Sequence, residues 1–433
     1  MKKRPDAAPA LDALVAERKD MRRAPRAKAA LVITTYGNAP MLKGHIERLG
    51  LQKWKGFDII IVYGEKDGFI EAPAWAGILH LREKGRNGCS GAYYIGERAA
   101  LEEGYGIIIL ADDDCMPVSV DLVESLVKEV EGGSQIAIPR LGSPQASWKP
   151  RVPHYYGALS AKALRSAGLT FLPLFFGGDD VEFMSRMRNS GFSPKHIEAY
   201  AWHPPAKPFL IDASWKRYYY SRGELEALVL NRGFPEAFAF AAMGLFMAAS
   251  LAAFGRMGQA GRTLHGLWDG SRLVFFEAKN AGGNGPQALA KEPEADLVFD
   301  SREAAGRRVQ GPNMMLYSDD AGQGLLWYAG RCASILASFP KYLGKRILFR
   351  GGNSALSLPA IAMARSAYMV HEGKAYEVFS GRGMIRIVAG LALLAFAAPF
   401  VLPLALCLSL GGFAVRAWKG VTSSGYGLET RKD

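Results

Sequence analysis

From Ala29 onward, short runs of consecutive apolar residues alternate with stretches whose apolar positions recur every three or four residues. The runs are Ala29–Thr35, Asp58–Tyr63, Ile78–Leu81, Ile107–Leu110 and Ile136–Pro139. They are β-branched and apolar at successive positions, so each reads as a strand buried on both faces. Between them, Leu42, Ile46 and Leu49 share one helix face, Tyr93–Glu102 is helical, and Val118–Val130 carries a stripe of Leu122, Val123, Leu126, Val127 and Val130. A helix containing Leu164 closes at Gly168, another opens near Asp179 and stops at Gly191, and Ala199–Trp202 is strand-like. Strands alternating with amphipathic helices predict an α/β domain with a mostly parallel sheet.

The second half has a different pattern. Ala237–Phe254 is 18 residues without a charge, and Ile387–Val415 is 29 uncharged residues interrupted by Pro399 and Pro403. About 20 apolar residues span a bilayer, so the longer stretch reads as a membrane anchor, crossing once with a kink or re-entering as a hairpin. If both stretches crossed, Lys345, Arg346 and Arg350 would lie outside, against the positive-inside tendency. Ala237–Phe254 is therefore expected to be an interfacial or buried helix. Residues 282–310 are polar and turn-rich, a linker, whereas Leu325–Phe339 and Leu356–His371 read as helices. The expected organisation is a basic arm over 1–28, an α/β domain over 29–232, a helical membrane-proximal region over 233–383, and an anchor with a basic tail over 384–433.

Composition narrows the function classes. With 49% hydrophobic and 22% charged residues, the 433-residue chain has ample material for packed domains. A net charge of +12 points to an anionic partner. The basic residues are spread along the chain without a nucleic-acid-binding motif, so that partner is not nucleic acid. In residues 1–28 nine basic residues face four acidic ones and no apolar core of a signal peptide is present. Such an arm either lies on anionic headgroups or is a solvated tail. Cys89, Cys115, Cys332 and Cys407 show no metal-ligand spacing and no disulfide framework, as in the reducing cytosol.

The chemistry gathers at the ends of the apolar runs. Asp112, Asp113 and Asp114 follow the Ile107–Leu110 strand, where open α/β sheets bind ligands. A helix cap uses one carboxylate, and three adjacent ones repel unless a cation joins them. Oxygen donors without thiols favour Mg²⁺ or Mn²⁺ over zinc. Arg86, Asn87 and the glycines up to Gly91 offer a cationic side chain and backbone N–H groups to phosphate. The polar turn Gly64–Gly68, with Glu65, suits a base or ribose. In Phe175–Phe183, Asp179 reads as the cap of the following helix, leaving Asp180 and Glu182 as acids of which one is a general base. His203 ends the last strand-like run.

Taken with their order, these pieces resemble the family-2 glycosyltransferases of GT-A fold, particularly the galactofuranosyl- and rhamnosyl-transferase branch. The resemblance is carried by Thr34-Thr35-Tyr36, Asn87–Gly96, Asp112-Asp113-Asp114 with Pro117, Gly178–Phe183, Trp202-His203 and Trp215–Arg222. It implies that Asp112, Asp114 and His203 hold Mn²⁺ or Mg²⁺ against the donor diphosphate, and that Asp180 is the base. It implies donor contacts from Thr35, Tyr36, Glu65, Arg86, Asn87 and Asp113, and acceptor contacts from Gly178, Asp179, Trp202, Arg217 and Arg222. The chain departs from the family where Tyr63-Gly64-Glu65-Lys66-Asp67 replaces Asp before Asn or Gly, and where Gly178 replaces Trp. It also lacks the Gln-x-x-Arg-Trp motif of processive synthases after Asp180.

The expected activity is an inverting, metal-dependent hexosyl transfer from a UDP- or dTDP-sugar nucleotide donor to a lipid-linked glycan. The expected place is the cytoplasmic face of the inner membrane, in cell-surface polysaccharide or glycolipid assembly, as a monomer or a homo-oligomer. Arg217 and Arg222 are expected to meet a lipid phosphate. The alternatives are a polyprenyl-phosphate glycosyltransferase and a noncatalytic membrane scaffold of the same fold.

Overall fold

The computed structural model describes residues 9–22, 27–85, 87–143, 146–148, 153–203, 214–253, 257–273, 401 and 403–418, together with five strands between 288 and 380. The described residues fall into two compact units, one ending at His203 and the other beginning at Ser214.

The first unit is built on one ten-stranded sheet: β1 (Val15–Asp20), β2 (Ala29–Thr35), β3 (Phe57–Tyr63), β4 (Ile78–Glu83), β5 (Ile107–Asp112), β6 (Met116–Pro117), β7 (Ile136–Ser143), β8 (Ala146–Trp148), β9 (Tyr156–Ser160) and β10 (Pro194–Trp202). The order across it is β1-β4-β3-β2-β5-β9-β7-β10-β6, with β8 paired to β7. Its helices are α1 (Leu11–Leu14), α2 (Ala39–Leu49), α3 (Gly88–Glu102), α4 (Leu122–Glu131), α5 (Ala161–Ala167) and α6 (Asp179–Asn189). The fully buried residues of β2, β3 and β5 alternate between two apolar layers. Val32, Val62, Ile108 and Leu110 pack with Tyr93 and Ile95 of α3. Leu31, Ile33, Ile59 and Ile109 pack with Leu42 of α2 and Leu126 of α4.

The sheet is mixed, which corrects the mostly parallel expectation. β4, β3, β2 and β5 run parallel, as do β7 and β10, but β9 is antiparallel to both of its neighbours. Between β7 and β9 the described residues hold only β8, which folds back on β7, and no crossover helix of the kind that joins parallel strands. The helix expected from Val118 begins at Leu122, because the Val118 and Ser119 amides donate to the Tyr200 carbonyl and hold that segment against β10.

The N-terminal arm is also revised over its described part. β1 pairs antiparallel with β4, and Leu11 of α1 is buried in the core. Glu17–Asp20 are exposed along this sheet edge, where charged side chains discourage pairing with another chain. Arg18 and Arg22 both meet Glu103, the latter at 3.3 Å, so these cations are engaged within the fold.

In the second unit α7 (Ser214–Asn231), α8 (Phe234–Ala253), α9 (Met257–Ser271) and α10 (403–418) are accompanied by β11 (Ala288–Leu289), β12 (Leu297–Asp300), β13 (Arg346–Arg350), β14 (Ser366–His371) and β15 (Lys374–Ser380). These strands form a second sheet ordered β11-β15-β14-β13-β12, which corrects the all-helical expectation for 233–383. The helix expected up to His371 is strand from Ser366, with His371 opposite Lys374 and only Glu372-Gly373 between them. Such a two-residue link with glycine is the chemistry of a hairpin.

Among the described residues no helix is long and apolar enough to cross a membrane. The Ala237–Phe254 stretch falls mainly in α8, which buries Ala237, Phe240, Ala241 and Leu251. Of the expected anchor, 387–400 lie outside the described residues, as do Leu325–Phe339 and most of the 282–310 linker.

The close fit of α3 on β2 yields a stability prediction. A Cβ on Gly96 would stand 2.2 Å from Val32 Cγ1. Gly96→Ala is expected to destabilise the chain by about 1–3 kcal/mol, the range for overpacking a filled core. Equilibrium urea unfolding measures this, and an unshifted midpoint would contradict the packing described.

Candidate active site

The register of the central strands sets the site. Thr34 of β2 pairs with Asp112 at the end of β5, so the two chain segments leave the sheet side by side. The Thr35 hydroxyl donates to Asp113 Oδ2 at 2.6 Å and the Asn38 amide to Oδ1 at 3.2 Å. The Tyr93 hydroxyl of α3 lies 2.5 Å from Asp112 Oδ1 and 2.6 Å from the His154 carbonyl oxygen. β6 pairs with β10 through Met116 and Trp202, and this antiparallel contact carries His203 to Asp114, with Nε2 3.5 Å from Oδ1. One ligand atom each from Asp112, Asp114 and His203 lies within 4.8 Å of the others. Two carboxylates and an imidazole at this separation suit Mn²⁺ or Mg²⁺ with further oxygen donors from a substrate.

Burial and, after it, crowding of like charge raise the carboxyl groups of the site. Burial, followed by the negative charge of Asp114, pushes Asp112 well above the usual carboxylate range. Burial moves Asp113 up to about 6. Asp179 also rises to about 6, again chiefly by burial. The Cys89 thiol in the first turn of α3 is pushed up by burial and then by Asp179, Asp112, Asp180 and Asp113, which places it among both acidic groups. A divalent cation at Asp112 and Asp114 removes the cause of this repulsion.

The second acidic group is clasped to the first. The Phe175 carbonyl accepts from the Ser90 N–H at 3.1 Å, and a Cβ on Gly88 would come within 2.1 Å of that carbonyl oxygen. Phe175 has φ +66°, an uncommon conformation for a bulky side chain and one that marks strain at a working site. The helix α3 begins at Gly88, so the glycine expected to face phosphate serves this close approach instead. Gly178, in the left-handed region, is the N-cap of α6, which corrects the assignment of Asp179 as the cap. Asp179 is buried in the first turn, its carboxylate held by the N–H groups of Asp179, Asp180 and Gly177.

Of the two candidate bases, the structure assigns one to the scaffold. Glu182 is fully buried in a bidentate pair with Arg186, both bonds at 2.9 Å, and the same guanidinium donates to the carbonyls of Ala167, Gly168 and Leu169. Asp180 is half-buried, with Oδ1 accepting from the Val181 N–H at 2.8 Å.

On the side expected to take the nucleotide, Tyr36 donates to the Gly88 carbonyl at 3.0 Å and lies over Gly64, where a Cβ would be 2.8 Å from Tyr36 Cδ1. Asp67 Oδ2 accepts from the Gly37 N–H at 2.8 Å, whereas Glu65 is exposed. Asp67 therefore makes the contact with the β2 loop. Asn87 Nδ2 donates to the Lys84 carbonyl at 3.2 Å, and Arg86 lies outside the described residues. Trp202 is exposed at the end of β10.

Arg217 and Arg222 belong to the second unit and are buried in α7. Arg222 stands over the rings of Tyr218 and Tyr219 and 3.6 Å from Glu226. Both side chains are buried, whereas contact with a lipid phosphate was expected at the surface. Sequence reasoning missed Tyr93, Asn38 and Asp67. Their signal was weak, because a tyrosine in an apolar helix face and polar residues in turns have ordinary structural explanations.

Behind Tyr93 runs a buried polar chain. The Thr170 amide and hydroxyl donate to Glu97 at 2.7 and 2.8 Å, and His154 Nε2 is 3.3 Å from Thr170 Oγ1. Burial holds the His154 imidazole neutral, down to about 3, and pushes Glu97 up to about 7.

Residues 30–186, within the first unit, match the family described as Glycosyl transferase family 2. No curated protein matches the chain. Among solved structures, the chain is similar to the mannosyltransferase PcManGT from Pyrobaculum calidifontis in complex with GDP-Man and Mn²⁺, with 14% identity and a TM-score of 0.38, over 61% of this chain and 78% of that one. It is similar to S. aureus TarS 1-349 in complex with UDP-GlcNAc, with 12% identity and a TM-score of 0.41, over 57% of this chain and 81% of that one.

Two predictions follow from the hydroxyl and the carboxyl behind the site. Tyr93→Phe removes the donor that orients Asp112 and is expected to weaken Mn²⁺ binding roughly 10- to 100-fold with the fold retained. Calorimetric titration of Mn²⁺ into the purified variant measures it, and wild-type affinity would exclude the role. For Glu97, a folded value of about 7 against an ordinary 4.5 means that the folded state binds the extra proton. The stability of wild type relative to Glu97→Gln is therefore expected to fall as pH rises from about 4.5 to about 7. Urea unfolding of both proteins across that range measures the difference, and a flat or rising difference would contradict the assignment.

Proposed function

We propose that the chain is an inverting glycosyltransferase that moves a sugar from a UDP- or dTDP-linked donor to a hydroxyl of a lipid-linked glycan at the cytoplasmic membrane face. The observation that carries the reading is the convergence of Asp112, Asp114 and His203 within 4.8 Å, beside an α6 N-terminus clasped to the same region through Phe175 and Ser90. Asp112, Asp114 and His203 would hold Mn²⁺ or Mg²⁺, whose positive charge stabilises the departing diphosphate. Tyr36 and Asp67 shape the recess for the nucleoside, and Thr35 and Asn38 keep Asp113 fixed beside it.

Asp180 is the general base. Its place in the first turn of α6 favours the ionised carboxylate. It takes the proton of the acceptor hydroxyl as that oxygen bonds to the anomeric carbon. The bond from that carbon to the diphosphate oxygen breaks on the opposite side, and the nucleoside diphosphate leaves with the electron pair. Buried Glu182 and Arg186 brace the helix that presents Asp180. The lipid-linked acceptor is supported by the +12 net charge and by the apolar stretches of the second half.

Incubating the purified full-length chain and Mn²⁺ with a panel of sugar nucleotides, then following hydrolysis or transfer, tests the activity and identifies the donor. Turnover of none of them would favour a noncatalytic role. In the productive reaction, Asp180→Asn is expected to lower turnover by about 10²-fold or more while leaving nucleotide binding nearly unchanged. Wild-type turnover in that variant would remove Asp180 as the base.

A further inference from the structure

Helix α9 turns large apolar side chains outward while burying polar ones. Its buried positions include Gln259, Thr263, Asp269 and Ser271, whereas Leu264 is 45% and Trp268 54% exposed. Asp269 accepts from the Tyr218 hydroxyl of α7 at 2.7 Å and pairs with exposed His265 at 3.2 Å, while the Thr263 and Ser271 hydroxyls donate to the Gln259 and Trp268 carbonyls of α9 itself at 3.0 and 2.6 Å. α9 buries Ala260 and Leu267 and exposes His265, but it also turns Leu264 and Trp268 outward, where a helix facing water carries polar residues.

The contacts behind this face are made by glycines. A Cβ on Gly266 would lie 2.3 Å from the Tyr218 carbonyl oxygen, and one on Gly270 2.8 Å from that of Arg222. Helix α10 repeats the theme: Gly412 approaches Val229 so closely that a Cβ would sit 2.9 Å from Val229 Cγ2, and Ser409 is buried. Its Leu404, Leu406, Leu410 and Trp418 are exposed. Half of the exposed large apolar side chains among the described residues lie on these two helices. Close backbone contact through small residues inside and large apolar side chains outside form the pattern of helices whose outer solvent is lipid.

We infer that the outward faces of α9 and α10 form a docking surface for an anionic lipid bilayer. The charge pattern selects this occupant. Asp269 is turned inward, and exposed Arg272 stands 5.8 Å from the Trp268 ring, so the apolar face is bordered by a cation and an indole. Tryptophan beside arginine is the usual lining of a headgroup region, and the +12 chain is attracted to anionic lipid. The 15 residues of α9 reach only about 22 Å, short of the ~30 Å hydrocarbon thickness, so the helix lies in the plane of the interface. The surface is independent of the transfer chemistry, and its test uses no sugar transfer.

Full-length chain is incubated with vesicles of phosphatidylcholine, with or without phosphatidylglycerol, carrying a lipid with a photoreactive acyl chain. Crosslinked peptides are then mapped by mass spectrometry. Labelling of peptides within residues 258–272 and 403–418 is expected, stronger with phosphatidylglycerol. In a Leu264→Glu, Trp268→Glu double variant, labelling of 258–272 should fall about tenfold or more, whereas Trp268→Phe should retain it. Wild-type protein labelled only in other segments would overturn the inference. So would a homodimer, seen by light scattering, that persists on vesicles and protects both helices from label.

Discussion

Mutual repulsion of carboxylates at the end of β5 is the constraint around which the first unit is arranged. Each of the three has a different answer to it. Asp113 is bonded by Thr35 and Asn38, Asp112 faces the Tyr93 hydroxyl, and Asp114 faces His203. Burial, and after it the charge of Asp114, still raises Asp112 and Asp113 despite these partners. A divalent cation supplies what neutral donors cannot, because burial of several anions is tolerated only when charge is balanced nearby.

The departures from a parallel sheet serve the same end. The antiparallel pairing of β6 and β10 delivers His203 to Asp114, and β9 follows directly from the His154 and Tyr155 segment that lines the opposite side. His154 offers its carbonyl to Tyr93 while its ring joins Thr170 and Glu97, so the segment behind Asp112 is fixed by hydrogen bonds rather than by apolar packing alone. The same logic separates the two acids of α6. Glu182 is consumed by Arg186 and braces the helix, and Asp180 is left nearer to solvent.

Much of the first unit was legible because its signals are local. Continuous β-branched runs reported the buried strands, and the Asp triplet directly after Ile107–Leu110 reported the site. His203 emerged only through resemblance, since its approach to Asp114 depends on a strand pairing across 85 intervening residues that no periodicity records. The choice of Asp180 over Glu182 also came through the resemblance, since the pairing of Glu182 with Arg186 is not recorded in composition. Basic residues near the N-terminus obscured β1, whose edge position tolerates a charged sequence. Arg217 and Arg222 read as surface cations, but both are buried, and the partners of Arg222 in α7 lie about one helical turn away. The strands of the second unit were missed where helical spacing and strand composition overlap, as in Ser366–His371.

The claim on which the account stands is that Asp112, Asp114 and His203 share one cation. Electron paramagnetic resonance of Mn²⁺ titrated into the purified chain, with and without UDP, tests it most directly. The account predicts one tight site strengthened by UDP and severely weakened in both Asp114→Ala and His203→Ala. Undiminished Mn²⁺ binding in both variants would contradict it.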